Sequence, residues 1–266
     1  MTTVAAPARA PAGHALPEVV SDAVAMTRRN LLHYLRVPAL IVFSTVSPVM
    51  FVLLFTYVFG GAIPVGGVRY VDYLMAGIFV QTVAFGSTQT GVGLADDLSR
   101  GMVDRFRSLP MARSAVLAGR TMADTVRNAF VVLVMLVVGL LVGFRPSGSI
   151  LAVGASLLVV VAFGLALSWI SAAIGLAVGN VEAAQSAGFV WIFPLTFASS
   201  AFVPLRSMPG WLQAWAKVNP VTNTVNAARN LQLGKPAATD LWHSVLWMVA
   251  ILVVFVPLAV RRYRRT

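Results

Sequence analysis

Six long blocks of mostly apolar residues, 39–60, 71–94, 122–143, 150–178, 185–204 and 242–260, decide what this chain can fold into. A helix needs roughly 20 such residues to cross a bilayer core of about 30 Å. Over 266 residues the chain is 58% hydrophobic and 11% charged, too little polar surface to clothe six such helices in water. It therefore reads as an all-α polytopic membrane protein with six transmembrane helices. The second block is the most polar, with Gln81, Gln89 and several hydroxyls, yet it carries no charge between Asp72 and Asp96 and still reads as a span.

Charge placement sets the orientation. The net charge is +11, and most of the arginines flank apolar blocks, where they fix topology and meet anionic lipid, so the charge does not call for nucleic acid. With the N-terminus inside, 14 Lys and Arg fall on the cytosolic side and 6 outside (Arg69, Arg145, Arg206, Lys217, Arg229, Lys235). Both termini are rich in arginine, which favours an even number of spans and cytosolic ends. There is no cysteine, and His14, His33 and His243 are scattered, so neither a disulfide framework nor a metal-ligand cluster is expected.

Residues 1–24 read as a disordered cytosolic tail, Ala- and Pro-rich without the apolar run of a signal peptide. Residues 25–37 follow as an interfacial amphipathic helix, with Leu31, Leu32 and Leu35 near one face and a stop at Pro38; an ordinary basic flank is the alternative. Residues 38–260 form the transmembrane domain and 261–266 a basic cytosolic tail. Between the fifth and sixth spans, 209–217 and 221–232 are two short helices separated by Asn219-Pro220, each too short to cross. They read as an outer-face cap or a re-entrant hairpin, with a surface loop as the plainer alternative.

Within the membrane, Gln81, Phe85, Thr88 and Gln89 share one helical face. Amides facing lipid would lack partners, so this face either lines a substrate route or makes interhelical hydrogen bonds. Gly164, Ser168, Ser171, Gly175 and Gly179 form a small-residue strip suited to close helix packing. Trp191, Phe193, Pro194 and Phe197 make the fifth span aromatic and interrupt its hydrogen bonding, a surface that suits an apolar cargo. No catalytic constellation and no phosphate loop is present in the sequence, and no charge series of the kind that couples transport to protons or sodium lies within the spans. Energy must come from elsewhere, or transport is passive.

Residues 96–120 carry eight charges, among them Asp96, Asp97, Arg100, Asp104, Arg105 and Arg107. Burying them at mid-membrane would cost on the order of 20 kcal/mol, so the segment lies outside the core. Leu94, Leu98, Met102, Phe106 and Leu109 recur at helical spacing, and Pro110 ends the run, giving an amphipathic helix. Lipid headgroups favour an overwhelmingly basic polar face; mixed charge and a projecting Phe106 favour a protein partner. Arg120, Asp124 and Arg127 can then pair along the helix entering the third span.

The stretch "DDLSRGMVDRFRSLPMARSAVLAGR" resembles the cytosolic segment of ABC type-2 exporter permeases, through Arg100, Gly101, Arg105, Arg107, Ser108, Pro110, Gly119 and Arg120. A second stretch is similar to the family's series before the last span, through Pro204, Met208, Pro209, Trp211, Asn219, Pro220, Arg229 and Gly234. With the six-span layout the resemblance covers most of 25–260 and is nearest to the daunorubicin-resistance-type branch; Met102 departs from the Thr of many relatives. The resemblance implies a multi-pass permease of the bacterial cytoplasmic membrane that pairs with a second copy or a paralogue. It also implies a separate ATP-binding subunit that holds the ATP and Mg, this chain binding no cofactor and being no enzyme. Asp96, Asp97, Arg100, Gly101, Asp104, Arg105, Phe106 and Arg107 would form the coupling helix to that subunit. Gln81, Phe85, Gln89, Trp191, Phe193 and Phe197 are the candidates for a route taken by a hydrophobic or amphipathic drug, antibiotic or lipid. An ATP-independent channel or a membrane scaffold for an enzyme complex is the alternative function.

Overall fold

The computed structural model describes residues 16–36, 38–63, 65, 67–102 and 113–265. Among them are nine α-helices: α1 (Leu16–Arg36), α2 (Pro38–Leu53), α3 (Tyr70–Ser99), α4 (Arg113–Val142), α5 (Ile150–Val178), α6 (Val181–Phe197), α7 (Gly210–Val218), α8 (Pro220–Gln232) and α9 (Ala238–Arg265). Each apolar block of the sequence lies for the most part on a helix. By length and composition, Ala115–Val142, Ile150–Val178 and Ala238–Tyr263 are long and apolar enough to cross a membrane, and Ser44–Phe59 is a shorter apolar helix.

The bundle is organised around α3, whose residues 70–84 are buried without interruption. A helix enclosed on all sides has no need of a polar face, which is why this block shows so little amphipathic pattern. It packs against α4, α5, α6 and α8. Against α5 the approach is close: a Cβ added to Gly175 would collide with the Gly91 carbonyl, and one added to Gly91 with the Ser171 carbonyl. The small-residue strip thus lets two backbones touch, and dispersion between them takes the place of a hydrophobic driving force that lipid does not supply. The strip ends at Gly179, left-handed at φ +70°, which caps α5 before Asn180 begins α6 by accepting from the Ala183 N–H at 2.8 Å.

Four boundaries correct the sequence reading. First, α1 starts at Leu16, so residues 16–24 are helical, not tail. They are held because α1 lies across α4: a Cβ on Gly119 would stand 2.9 Å from the Ala23 carbonyl, and the Thr27 hydroxyl donates to the Gly119 carbonyl at 3.3 Å. Second, 261–265 continue α9, with Tyr263 buried in a cluster that includes Met26, Leu94 and Leu117. Third, α6 ends at Phe197, so 198–204 do not belong to the fifth helix. The Asn219 side chain donates to the carbonyls of Leu195 (2.8 Å) and Ala198 (3.0 Å), satisfying the open end, and accepts from the Val221 N–H (2.8 Å) to start α8.

Fourth, the stripe from Leu94 onward is not one helix. α3 stops at Ser99, Arg100 caps it, and Gly101 turns left-handed at φ +65° with its N–H on the Leu98 carbonyl. Glycine alone takes that conformation without strain, and it breaks the run that hydrophobic spacing extended to Leu109. Asp104, Arg105, Phe106 and Arg107 lie outside the described residues.

Of the two short helices, α7 exposes Trp211 and Trp215, whereas α8 buries Val221, Thr224, Val225, Ala228 and Arg229 between α3, α5 and α9. Only the first has the character of a surface helix.

Candidate functional site

A cavity of about 370 Å³ lies among α2, α3, α4 and α6. Gln81, Phe85 and Gln89 of α3 and Phe193 and Phe197 of α6 all line it, so five of the six route candidates meet in one place. Trp191, the sixth, is half-buried against the core and is not on this wall. The size falls within the ~300–1,000 Å³ usual for small-molecule sites.

Phe51, Phe85, Phe189, Phe193 and Phe197 form the apolar part, and a stack of rings runs on from it to Phe202 and Phe55. Phe193 stacks on Phe197 at 4.3 Å, Phe197 on Phe202 at 5.2 Å, and Phe202 on Phe55 at 4.6 Å. Phe51 and Phe55 come from the end of α2, where the helix widens into a π-turn over Leu54–Phe59. Phe193, on this wall, is 52% exposed.

The polar lining, which includes Gln81, Gln89, Arg127 and Asn128 of α3 and α4 with Ser44 and Ser47 of α2, is backed by a network between α3 and α4. The Thr90 hydroxyl donates to Asp124 Oδ2 at 2.7 Å, and Arg120 Nε stands 3.4 Å from the same oxygen. Arg127 Nη1 is 3.9 Å from Asp124 Oδ1, while its Nη2 donates to the Gly86 carbonyl (2.7 Å) and to Asn128 Oδ1 (3.1 Å). The pairing of Arg120 and Arg127 with Asp124 expected from spacing is therefore present, but Asp124 is fully buried and also serves α3. A buried carboxylate is tolerable only with such partners. Gln81 Oε1 and Asn128 Nδ2 are buried without a hydrogen-bond partner among the described residues.

Arg127 and Asn128 were not among the sequence candidates. Their signal was their position inside the apolar block 122–143, where a polar or ionisable residue is a functional lead by itself. Phe51 and Phe189 were missed as well, since an apolar residue in an apolar block carries no distinguishing mark.

A second, larger cavity of about 1010 Å³ adjoins the first at the end of the bundle that carries Asp96 and Arg100. Ser44, Gln89 and Arg127 line both, so the two lie side by side. Its charged lining comprises Arg28, Arg29 and Arg36 of α1, Arg100, Arg120 and Arg127, set against Asp96 and Asp97. Asp96 holds Arg100 at 2.8 Å and Asp97 faces Arg120 at 3.8 Å. Burial pushes the Asp97 carboxyl above the usual carboxylate range, with Asp96 adding to the rise, against the pull of Arg120, Arg29 and Arg100. The four described coupling candidates lie where α3 ends, Asp96 and Asp97 in its last turn and Arg100 and Gly101 just beyond it.

Comparison with known proteins identifies the family. Residues 22–233 match the family described as ABC-2 type transporter. The chain is 34% identical over 236 residues to the daunorubicin resistance ABC transporter permease protein DrrB1 of Streptomyces coeruleorubidus, covering 89% of this chain and 83% of that one. It is 28% identical over 269 residues to the probable doxorubicin resistance ABC transporter permease protein DrrC of Mycobacterium tuberculosis (98% and 95%). It is 26% identical over 218 residues to the putative transport permease ycf38 of Porphyra purpurea (80% and 74%). With a match over most of its length, the chain belongs to the ABC-2 type transporter family, as one of its multi-pass membrane permeases.

Proposed function

We propose that this permease is the membrane half of an ATP-driven exporter that carries a hydrophobic or amphipathic compound, a drug, antibiotic or lipid, out of a bacterial cell through the cytoplasmic membrane. Six helices, α2 to α6 and α9, cross the bilayer, both termini are cytosolic, and two permease copies or paralogues pair. A separate subunit binds ATP and Mg, and it docks where α3 ends, at Asp96, Asp97, Arg100 and Gly101, continuing into Asp104, Arg105, Phe106 and Arg107.

The observation that carries this reading is the pair of adjacent cavities. An aromatic chamber lies against a polar vestibule that Asp96, Asp97 and Arg100 help to line, which is what an exporter of amphipaths needs if ATP-driven movement at one end is to reach its cargo. The daunorubicin and doxorubicin resistance named for two relatives fits an apolar, aromatic-lined route.

Reconstitution with the ATP-binding subunit in vesicles tests it. Gln81→Leu, Phe85→Ala and Phe197→Ala are expected to change transport while leaving the complex assembled. Charge reversal at Arg105 and Arg107 is expected to abolish co-purification with the ATP-binding subunit. Wild-type transport of every cargo by the first set would defeat the route, and an undiminished complex in the second would defeat the coupling assignment.

A further inference from the structure

We infer that Arg127 is a positioning residue of transport: with Asp124 and Arg120 it locks α4 onto α3 in one register, so that movement at the docking end of α3 also moves the α4 wall of the aromatic chamber. The inference rests on the exporter reading above and adds the residues that join its two ends.

The contact between α3 and α4 is a polar seam with a repeat. On α3, Gly86, Thr90, Gly93 and Asp97 follow at steps of 4, 3 and 4 and share one face; on α4, Arg120, Asp124 and Arg127 follow at steps of 4 and 3 and share another. The two sets pair in antiparallel order. Asp97 Oδ2 stands 3.8 Å from Arg120 Nη1, and the Arg120 guanidinium occupies the place that a Cβ on Gly93 would need. The Thr90 hydroxyl donates to Asp124 at 2.7 Å, and Arg127 Nη2 donates to the Gly86 carbonyl at 2.7 Å. Asp124 stands between the two arginines, 3.4 Å from Arg120 Nε and 3.9 Å from Arg127 Nη1. From Gly86 to Asp97 the seam spans about 16 Å of helix at 1.5 Å per residue.

Such a seam resists sliding. A shift of α3 along α4 by one turn would part Thr90 from Asp124 and Arg127 from the Gly86 carbonyl together, withdrawing donors from a carboxylate and a carbonyl inside the bundle. Asp124 is fully buried and Arg127 is 7% exposed. Buried ion pairs seldom stabilise a fold more than apolar side chains of the same shape; what they supply here is a register. At the chamber end the same arginine holds Asn128, whose Oδ1 accepts from Arg127 Nη2 at 3.1 Å and whose amide fills the space left by Gly86. Arg127, Asn128 and Val131 of α4 line the chamber beside Gln81, Phe85 and Gln89 of α3. Held together, the two helices form one wall that moves against α6, which carries Phe189, Phe193 and Phe197.

The test uses the full permease co-expressed with its ATP-binding subunit, in phosphatidylcholine nanodiscs. The chain has no cysteine, so Leu133→Cys on α4 and Val190→Cys on α6, two exposed positions, accept a pair of spin labels. Their separation is read by pulsed electron double resonance in the nucleotide-free complex and after trapping with ATP and vanadate, and the shift is expressed per trapped nucleotide. With the seam intact the separation is expected to shift by several ångströms. Arg127→Met and Thr90→Val should each cut that shift at least twofold, and Arg127→Lys should recover part of it, since an ammonium can still reach Asp124. If Arg127→Met does not fold, Thr90→Val, which keeps the shape and every charge, carries the test. Arg229→Lys loosens the contact of α3 with α8 instead and controls for stability alone: the thermal midpoint should fall while the shift stays intact.

An undiminished shift in either Arg127→Met or Thr90→Val overturns the inference and leaves the exporter reading standing. So does a shift lost equally in Arg229→Lys, or Arg127→Lys no better than methionine, for the seam would then act through stability or shape and not through its charged contacts. The absence of any shift with the seam intact overturns it as well. Co-purification is measured separately: if no ATP-binding subunit accompanies the native permease, the exporter reading fails first and the inference with it.

Discussion

The Arg229 guanidinium lies 3.6 Å from the centroid of the Tyr73 ring while its Nε donates to the Tyr73 carbonyl at 2.9 Å. Its other nitrogens reach the Ser200 carbonyl (2.8 Å) and Asn226 Oδ1 (3.1 Å), and the Tyr73 hydroxyl closes the ring of contacts on Ser200 (3.0 Å). One buried cation therefore binds α3, α8 and the turn after α6 together. Two charge-assisted bonds to carbonyls and a desolvated cation–π contact make the loss of this side chain worth about 3 kcal/mol or more. Arg229→Ala is expected to lower the midpoint of thermal unfolding in detergent by several degrees. Arg229→Lys should recover only part, because an ammonium cannot span both carbonyls in a plane.

Asn219 supports a sharper test, since its amide does two different things. The Nδ2 group closes the end of α6 and the Oδ1 atom opens α8. Asn219→Asp keeps the acceptor and removes the donors, leaving the Leu195 and Ala198 carbonyls short of a partner; Asn219→Ala removes both. The alanine variant should lose roughly 1–3 kcal/mol, and aspartate at least as much, because its charge faces two carbonyl oxygens. Equal stability of Asn219→Asp and the native protein would show that α6 does not depend on this cap.

These two residues also show where sequence reasoning stops. Helix content was legible because an apolar block of span length has few alternatives: 150–178 was expected and Ile150–Val178 is found. Long-range closure was not. The end of α6 is set by Asn219, more than twenty positions onward, and Arg229 looks in the sequence like any basic residue of an outer loop. The face of Gln81, Phe85 and Gln89 was visible from spacing, but its neighbours on the cavity wall were not: Arg127 was read among the basic residues before the third span, and Asn128 carried no reading. α1 was visible as amphipathic, yet the same pattern serves a lipid surface and the side of α4 equally well. At Gly101 two local signals disagreed, helical spacing against a residue suited to a left-handed turn, and the backbone followed the glycine.

The contact between α3 and α5 predicts a contrast between two glycines of one helix. At Gly175 a methyl group would meet the backbone of Gly91, which no side-chain rotation relieves; at Gly154 an added Cβ meets nothing within 4 Å. Gly175→Ala is expected to destabilise by about 1–3 kcal/mol through forced separation of the two helices. Gly154→Ala should be neutral or stabilise by up to about 1 kcal/mol, since alanine restricts the unfolded chain and favours helix. Thermal midpoints of the purified variants, measured side by side, decide this. Similar values for both would show that the two backbones do not touch.

Asp97 gives a prediction in pH. It lies beyond the apolar part of α3, and burial raises its carboxyl above the ordinary value despite the arginines nearby. An acid whose folded value is raised binds its proton more tightly in the folded state. Its favourable contribution is complete below the unfolded value, near 3.9, and is lost as pH rises through the folded value. Asp97→Asn resembles the protonated form at every pH. Its thermal midpoint should match the native protein near pH 4 and exceed it increasingly toward pH 7, with the gap levelling once the native carboxyl is ionised. A gap of the opposite sign would mean that Arg120, at 3.8 Å, outweighs desolvation. If the carboxylate is retained despite this disadvantage, its value lies in coupling. Asp97→Asn should then also reduce ATP-driven transport in the complex, although the permease itself has become more stable.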